Sequence, residues 1–367
     1  MENIDTASTV GLSVIIPVYN AESHLVDCLE SITSQTGVDL EIICVDDCSR
    51  DNSVAVIRRA MAHDGRISLH ELSKNSGAPA ARNLGIEKSR GHYTLFVDAD
   101  DRLVPQSLGK IYALGRELNS DAIKGCMYVA ENGRKLTPHH LNQRREWRDT
   151  RLIDCPEICH LYQYQSYLLK SSLIKNGSVR FNERLRNFQD PVFMSHLLPL
   201  CHRIDVTVLP FYIRTITPNS IITSTWGSDN FNSLVEGATE AYRTLVSAEC
   251  RDSAAYISMT FSHWWRKIEL ITDALPKQEC LDIFAKIAEF STISDYRISK
   301  PAWRRIIEHH ALTLIAEGKF EKAYSRMQDS LRLQHKLPGF LVNLLNGLHY
   351  LFDTRARSIE PGSSAGS

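Results

Sequence analysis

The sequence predicts an α/β fold, with a Rossmann-like, mostly parallel sheet followed by a C-terminal helical region. Three observations predict it. Apolar, β-branched runs of strand length recur through the first hundred residues, continuous enough for strands covered on both faces. Segments with apolar residues at helical spacing separate these runs, and strand–helix alternation of this kind builds a parallel sheet. After about residue 230 the strand signals thin out and helical patterns take over.

The elements follow in order. Leu12–Ile16 is the first strand, and Pro17 is expected to end it because proline cannot donate to a sheet ladder. Asn20 then reads as the N-cap of a helix whose apolar face is Leu25, Cys28, Leu29 and Ile32. Glu41–Val45 is the second strand, ending at Asp46 and Asp47; Ser49 or Asp51 can cap the next helix, which turns Val54, Ile57 and Met61 inward. Ile67–Leu72 alternates as a third strand. Residues 77–85 open a short helix with Gly85 near its end, and Tyr93–Val97 is a fourth strand running into Asp98. Farther on, 231–250, 254–272, 277–291, 301–316, 319–333 and 338–352 read as helices. The expected division is therefore an α/β domain over 1–225, a helical region over 226–355, and a small-residue, disordered tail over 356–367.

At 367 residues the chain has room for two domains. Its formal charge of −1 argues against nucleic acid as the main partner, since phosphate backbones select basic surfaces. The polar, acidic start lacks the basic-then-apolar pattern of a secretory signal. No stretch reaches the roughly 18–20 apolar residues of a spanning helix. Nine scattered cysteines read as reduced thiols, so a cytoplasmic location is expected.

Ligands of open α/β sheets bind beyond the carboxyl ends of the strands, and acidic residues gather there. Asp46 and Asp47 follow the second strand; Asp98, Asp100 and Asp101 follow the fourth. Carboxylates at i and i+2 share one side of an extended chain. Mg²⁺ or Mn²⁺ suits such oxygen ligands, with substrate phosphate oxygens filling the rest of the shell. Acids at strand ends also cap the helices that follow, so Asp47 or Asp101 can serve as caps alone.

Four segments carry a resemblance. Ser13–Asn20 (SVIIPVYN), Val45–Ser53 (VDDCSRDNS), Gly77–Gly85 (GAPAARNLG) and Phe96–Asp101 (FVDADD) resemble, in order and spacing, the family-2 glycosyltransferases, inverting enzymes of the GT-A fold. The resemblance covers about residues 11–225. It implies that Pro17, Tyr19 and Asn20 form the first loop under a nucleotide, typically UDP. By the same resemblance Asp47, helped by Asp46, accepts a hydrogen bond from the base, Arg82 contacts the diphosphate side, Asp98 approaches the ribose or diphosphate, and Asp100, with Asp98, holds Mn²⁺ or Mg²⁺. Arg82 can equally be a solvated helix arginine, and Tyr19 a packing residue.

Inverting transfer is one in-line displacement with oxocarbenium-like character, so a carboxylate outside the metal cluster must take the acceptor's hydroxyl proton. In the family's second half a Glu-Asp pair precedes an aromatic-containing helix, and the Asp is the base. Residues 167–193 are similar to that region, with Gln189-Asp190 at the pair. The resemblance implies Asp190 as base. Followed by Pro191 it also suits a helix N-cap, and one carboxylate can do both. Gln189 serves if the family's Glu acts through hydrogen bonds, and weakens the chemistry if its charge tunes the Asp. Residues 211–221 resemble a Tyr-x-Arg…Ser segment, which makes Arg214 and Ser220 candidates to reach the diphosphate, or simply a strand end.

In the helical region Phe261, Trp264, Trp265, Ile268 and Ile271 read as a packed helix face. Leu341, Leu344, Leu345, Leu348 and Phe352 form an apolar stripe with Arg332, Lys336, Arg355 and Arg357 around it. It is read as a core helix, with peripheral membrane contact through 337–357 as the alternative. The leading expectation is a metal-dependent inverting transferase using a UDP-sugar, with a glycan or lipid-linked acceptor. The alternative is a weak or inactive nucleotide-sugar-binding scaffold in a glycan-assembly complex, and a sugar-phosphate nucleotidyltransferase is disfavoured because no Gly-rich basic loop follows the first strand.

Overall fold

Strand β1 (Leu12–Val18) lies between two parallel neighbours, β2 (Leu40–Asp46) and β4 (Tyr93–Phe96), and β3 (Ile67–Glu71) lies outside β2. The computed structural model describes residues 10–131, 135–138, 145–155, 164–216, 227–250, 275–293, 319 and 321–325. Beyond β4 the sheet becomes mixed. Its order is β3-β2-β1-β4-β9-β6-β10-β5, with β5 (Arg102–Leu103), β6 (Ala122–Glu131), β9 (Tyr167–Lys170) and β10 (Ile204–Ile216). β9 runs antiparallel between β4 and β6, β6 and β10 are parallel, and β5 is antiparallel to β10. β7 (Lys135–Pro138) and β8 (Trp147–Thr150) pair with β6 and β10.

The helices are α1 (Leu25–Thr33), α2 (Ser53–Met61), α3 (Ala78–Lys88), α4 (Leu108–Glu117), α5 (Ser171–Asn176), α6 (Gln189–Leu197), α7 (Ser228–Ser247) and α8 (Lys277–Ile293). Strand alternation sorts β1 between two layers. Val14, Ile16 and Val18 join Leu25, Leu29 and Ile32 of α1 in one buried cluster. Ile15, on the other face, meets α3 at Gly85, where a Cβ would lie 2.3 Å from Ile15 Cγ2. α3 runs past the expected 85 to Lys88, and Gly85 lies in its last turn, near the end as expected. It permits the close helix–sheet approach.

Two further expectations are corrected. β1 continues through Pro17 to Val18, with Pro17 in register with Val45. Ile15 turns its carbonyl toward β4, accepting from Val97 N–H, and Pro17 faces the same way by the two-residue period. β4 ends at Phe96, so the missing N–H of Pro17 costs no ladder bond. Asn20 caps nothing: α1 starts at Leu25, and Asn20, at φ 49, turns its side chain to accept from Arg50 N–H at 2.8 Å. Asn20 N–H donates to Ser49 Oγ, Ala21 N–H to Ser53 Oγ, and Glu22 N–H to Asp51, so loop 20–22 is stitched to loop 49–53. Asp51 also accepts from the N–H and hydroxyl of Ser53, holding the first residue of α2 from one position before the N-cap, which is Asn52 and not the expected Ser49 or Asp51.

The chain forms two compact units. The first contains the described residues up to Cys250, α7 among them, together with 289–293 at the end of α8. In the second, Lys277 of α8 pairs with Glu321 at 2.6 Å and lies over the Tyr324 ring. α8 occupies the expected 277–291 segment, and 321–325, inside the expected 319–333, is helical. The segments 254–272, 301–316 and 338–352, the stretch 337–357 and the tail 356–367 fall outside the described residues. Among the described residues no helix is long and apolar enough to cross a membrane.

Candidate active site

The carboxyl ends of β1, β2 and β4 lie side by side, and the predicted acids sit there. Asp47 is buried, and its carboxylate accepts from Ser76 N–H at 2.6 Å and Gly77 N–H at 2.8 Å, while its carbonyl accepts from Asn75. Gly77, at φ 88, is the N-cap residue of α3. Asp47 thus anchors the start of the helix that carries Arg82. Asp46 accepts from Ser49 N–H through Oδ2, and its buried Oδ1 has no partner among the described residues. The open acceptor at this strand end therefore belongs to Asp46. Tyr19 is exposed beyond β1, on the loop that Asn20 ties to Ser49 and Arg50.

The turn after β4 separates its three acids by role. Asp101 is buried; its carboxylate accepts from the Tyr212 hydroxyl at 2.6 Å and from Thr215 N–H at 2.7 Å, both on β10. Burial pushes its carboxyl well up, reinforced by Asp98 and Asp100 and opposed by the bonds from Tyr212 and Thr215. It fastens the turn to β10 and so places Arg214, the residue before Thr215, close enough to act electrostatically on Asp98 and Asp190. Asp100 is half-buried. Asp98 keeps a quarter of its side chain open, with one oxygen 2.8 Å from Arg82 Nη2 and the other 3.2 Å from Gln165 Nε2. Burial works to raise its carboxyl, but the Arg82 charge and these donors outweigh it and the group titrates below its ordinary value.

Arg82 reaches inward. Its guanidinium lies 5.0 Å from the Tyr164 ring centroid and 5.3 Å from that of Phe181, in a nest that also holds Phe96 and Phe193. Nη2 donates to Asp98, and Nη1 donates to Gln189 Oε1 at 3.1 Å. Two of its five N–H donors are thus engaged by protein. Arg82 joins the end of β4 to the first residue of α6. Gln189 also donates from Nε2 to Leu185 C=O, a complete set of partners that a charged Glu could not make in full.

Asp190 is the next residue, and its expected N-cap role is corrected. α6 begins at Gln189, with Phe188 at the cap position in a left-handed conformation, φ 59. Asp190 therefore lies inside the first turn, with no side-chain cap bond. The half-buried carboxyl is pushed up to about 7, chiefly by its removal from water, with Arg82 and Arg214 opposing and Asp98 adding to the rise. A carboxyl poised near neutrality is what general-base work requires. Asp98, Arg82, Asp190 and Arg214 form one electrostatic group, whereas Asp46, Asp47, Pro17, Tyr19 and Asn20 line the neighbouring strand ends. Ser220 falls outside the described residues.

Three contributors were not singled out in the sequence: Gln165 and the two rings around Arg82; Tyr212 lies in the Tyr-x-Arg segment, where its bond to Asp101 was not foreseen. Tyr164 and Gln165 sit on a short 3-10 turn before β9, and only the tertiary fold brings them to Arg82 and Asp98.

Among the described residues no three His, Cys, Asp or Glu side chains are grouped to enclose a metal. The carboxylates of Asp98 and Asp100 are hard oxygen donors at i and i+2. They fit a cation that takes one or two carboxylates and completes its shell with phosphate and water. Asp98 shares its charge with Arg82.

A family model described as glycosyl transferase family 2 matches residues 13–177. A poly(ribitol-phosphate) beta-glucosyltransferase of Bacillus spizizenii is 32% identical over 199 residues, 53% of this chain and 31% of that protein. The poly(ribitol-phosphate) beta-N-acetylglucosaminyltransferase TarP of Staphylococcus aureus is 31% identical over 192 residues, 51% of this chain and 57% of that protein. The chain spans between 31% and 62% of the length of the first curated relatives it matches. Among solved structures, S. aureus TarS 1-349 superimposes with TM-scores of 0.68 in its complex with UDP and 0.69 in its complex with UDP-GlcNAc. Each covers 88% of this chain at 19% identity. The likeness shows the expected GT-A fold.

Proposed function

We propose that this chain, matched over residues 13–177 by the glycosyl transferase family 2 model, moves a sugar from a UDP-sugar to a hydroxyl of a glycan or lipid-linked acceptor, with inversion and with Asp190 as general base. The observation that supports this best is the Arg82 bridge: one guanidinium holds Asp98, on the donor side, and Gln189, next to Asp190. Acid at the donor and base at the acceptor thus belong to one rigid arrangement.

In this reading the unpaired Oδ1 of Asp46 accepts from the uracil edge, and Asp47 keeps loop 75–77 and α3 in place. The loop of Pro17, Tyr19 and Asn20 lies under the nucleotide. Asp100, with Asp98, would hold Mn²⁺ or Mg²⁺, which when bound neutralises charge developing on the departing diphosphate. Arg214 faces the same charge. Asp190 Oδ accepts the acceptor's hydroxyl proton as the oxygen attacks the anomeric carbon from the opposite side. UDP is named because TarS is crystallised with UDP and UDP-GlcNAc, and a phosphate-linked polyol polymer is the first acceptor to try because two relatives are named for poly(ribitol-phosphate).

The test is incubation with UDP-glucose or UDP-GlcNAc, Mn²⁺ and poly(ribitol phosphate), with the product's anomeric proton read by NMR. A β-linked product from the α-linked donor is expected. An α-linked product would remove inversion, and with it the role of Asp190.

A further inference from the structure

Asp190 is the first-turn carboxylate of α6, so its aim depends on how the turn entering α6 is held. That turn, residues 182–188, has little regular structure of its own, and one of its members, Phe188, is a buried aromatic in the left-handed region that L side chains rarely adopt. A conformation of that kind persists only where its surroundings impose it. The surroundings are α7, a helix beyond the stretch that the family model matches.

Three residues of one α7 face, at spacings of four and three, meet the turn. Ser233 is buried; its Oγ accepts from Arg186 N–H at 2.7 Å and from Asn187 N–H at 3.2 Å, and lies 3.3 Å from Asn187 C=O, to which its hydroxyl donates. The Asn187 amide in turn donates to the α7 carbonyl of Asn230 at 2.9 Å. Gly237 stands opposite Phe188, where an added Cβ would lie 3.2 Å from Phe188 Cβ and Cδ1 and 3.3 Å from Leu185 Cδ1. Glu240 accepts from Asn182 Nδ2 at 2.6 Å and pairs with His196 Nε2 at 3.2 Å. Glu240 therefore grips the start of the turn and the last turn of α6 together, and Ser233 fixes the residues just before Phe188.

We propose that α7 is a positioning element of the transfer site, in which Ser233, Gly237 and Glu240 impose the left-handed Phe188 turn and thereby set the direction of Asp190. The proposal rests on the reading of Asp190 as base. Ser233 is its key residue, because its Oγ accepts from two consecutive backbone N–H groups, those of Arg186 and Asn187, the second of them in a buried bond. Removing that oxygen leaves the buried Asn187 N–H without its partner, which favours a different backbone. The positioning acts on the attacking side only: in the same reading Asp46, Asp98 and Asp100 hold the donor from other elements.

The test compares Ser233→Ala, Ser233→Thr, Leu245→Val and Asp190→Asn in the full chain. UDP release from UDP-glucose or UDP-GlcNAc with Mn²⁺ gives the kinetics, and deuterium uptake gives the backbone. Ser233→Ala is expected to lower kcat at least tenfold with the donor KM within twofold, and to speed uptake over 185–192 while uptake over 78–101 stays unchanged. Ser233→Thr, which keeps the oxygen, recovers most of both. Leu245→Val, which loosens α7 away from the turn, leaves kcat unchanged. Wild-type uptake over 185–192 in Ser233→Ala overturns the proposal, as does a rate loss carried by KM or shared equally by Leu245→Val. If Asp190→Asn keeps the wild-type rate, it is the base assignment that fails. If Asp190→Asn is inactive while Ser233→Ala keeps full kcat, α7 alone is refuted.

Discussion

Replacing Asp190 with asparagine should make the protein inactive and more stable at once. The variant keeps the shape of the side chain and removes its charge. A positioned general base contributes typically 10²–10⁴-fold, so kcat should fall by that factor while donor KM stays near its wild-type value. The stability change follows from linkage. The carboxyl titrates at about 7 in the fold against an ordinary 3.8, so between those values the native state holds a proton that the unfolded chain has released, and stability falls as pH rises. At 1.36 kcal/mol per unit the cost is about 2 kcal/mol at pH 5 and about 4 kcal/mol at pH 7.5. Both are upper limits, because the half-buried carboxyl keeps some contact with solvent. Asparagine carries none of this cost. Urea denaturation at the two pH values should show a gain for Asp190→Asn that is larger at pH 7.5 by at least about 1 kcal/mol. A variant that turns over normally, or that is less stable than wild type at pH 7.5, would refute the reasoning.

Arg82→Lys puts a point charge where a planar fork serves Asp98 and Gln189 together; we expect a loss of about 2–3 kcal/mol in denaturation and at least about 100-fold in kcat. Gln189→Glu adds a carboxylate against Arg82 beside Asp190, so the acid limb of the pH–rate profile should move upward, by up to about one unit, and a downward move would contradict the account. Gly85→Ala drives a methyl into Ile15 and should cost about 1–3 kcal/mol in denaturation midpoint without changing donor KM.

The strands around the site were legible because a strand covered on both faces needs a near-continuous apolar, β-branched run. β1, β2 and β4 match such runs within about two residues, and the acids beyond them follow directly. The gaps lie where distant parts of the chain decide. Nothing near Asp101 says that it meets Tyr212, 111 residues away, or that Arg82 meets Gln189 across 107 residues. The carboxylates of the Asp98–Asp101 turn look equivalent in sequence; burial against β10, with bonds from Tyr212 and Thr215, is what makes Asp101 a tether. Local capping rules placed Asn20 and Asp190 at helix starts. Tertiary contacts overrode both, through the 49–53 loop in one case and through α7 in the other. α7 is the segment read as a helix over 231–250: its helical pattern was plain, but its partner, the turn entering α6, was not.

The central claim is that the acids beyond β4 hold a metal–diphosphate while Asp190 waits on the other side. Calorimetric titration of UDP into the wild type and Asp100→Asn, each with and without Mn²⁺, tests it most directly. The account predicts binding by the wild type that strengthens at least tenfold with Mn²⁺, and no such strengthening in Asp100→Asn. Equal UDP affinity in all four titrations would contradict it.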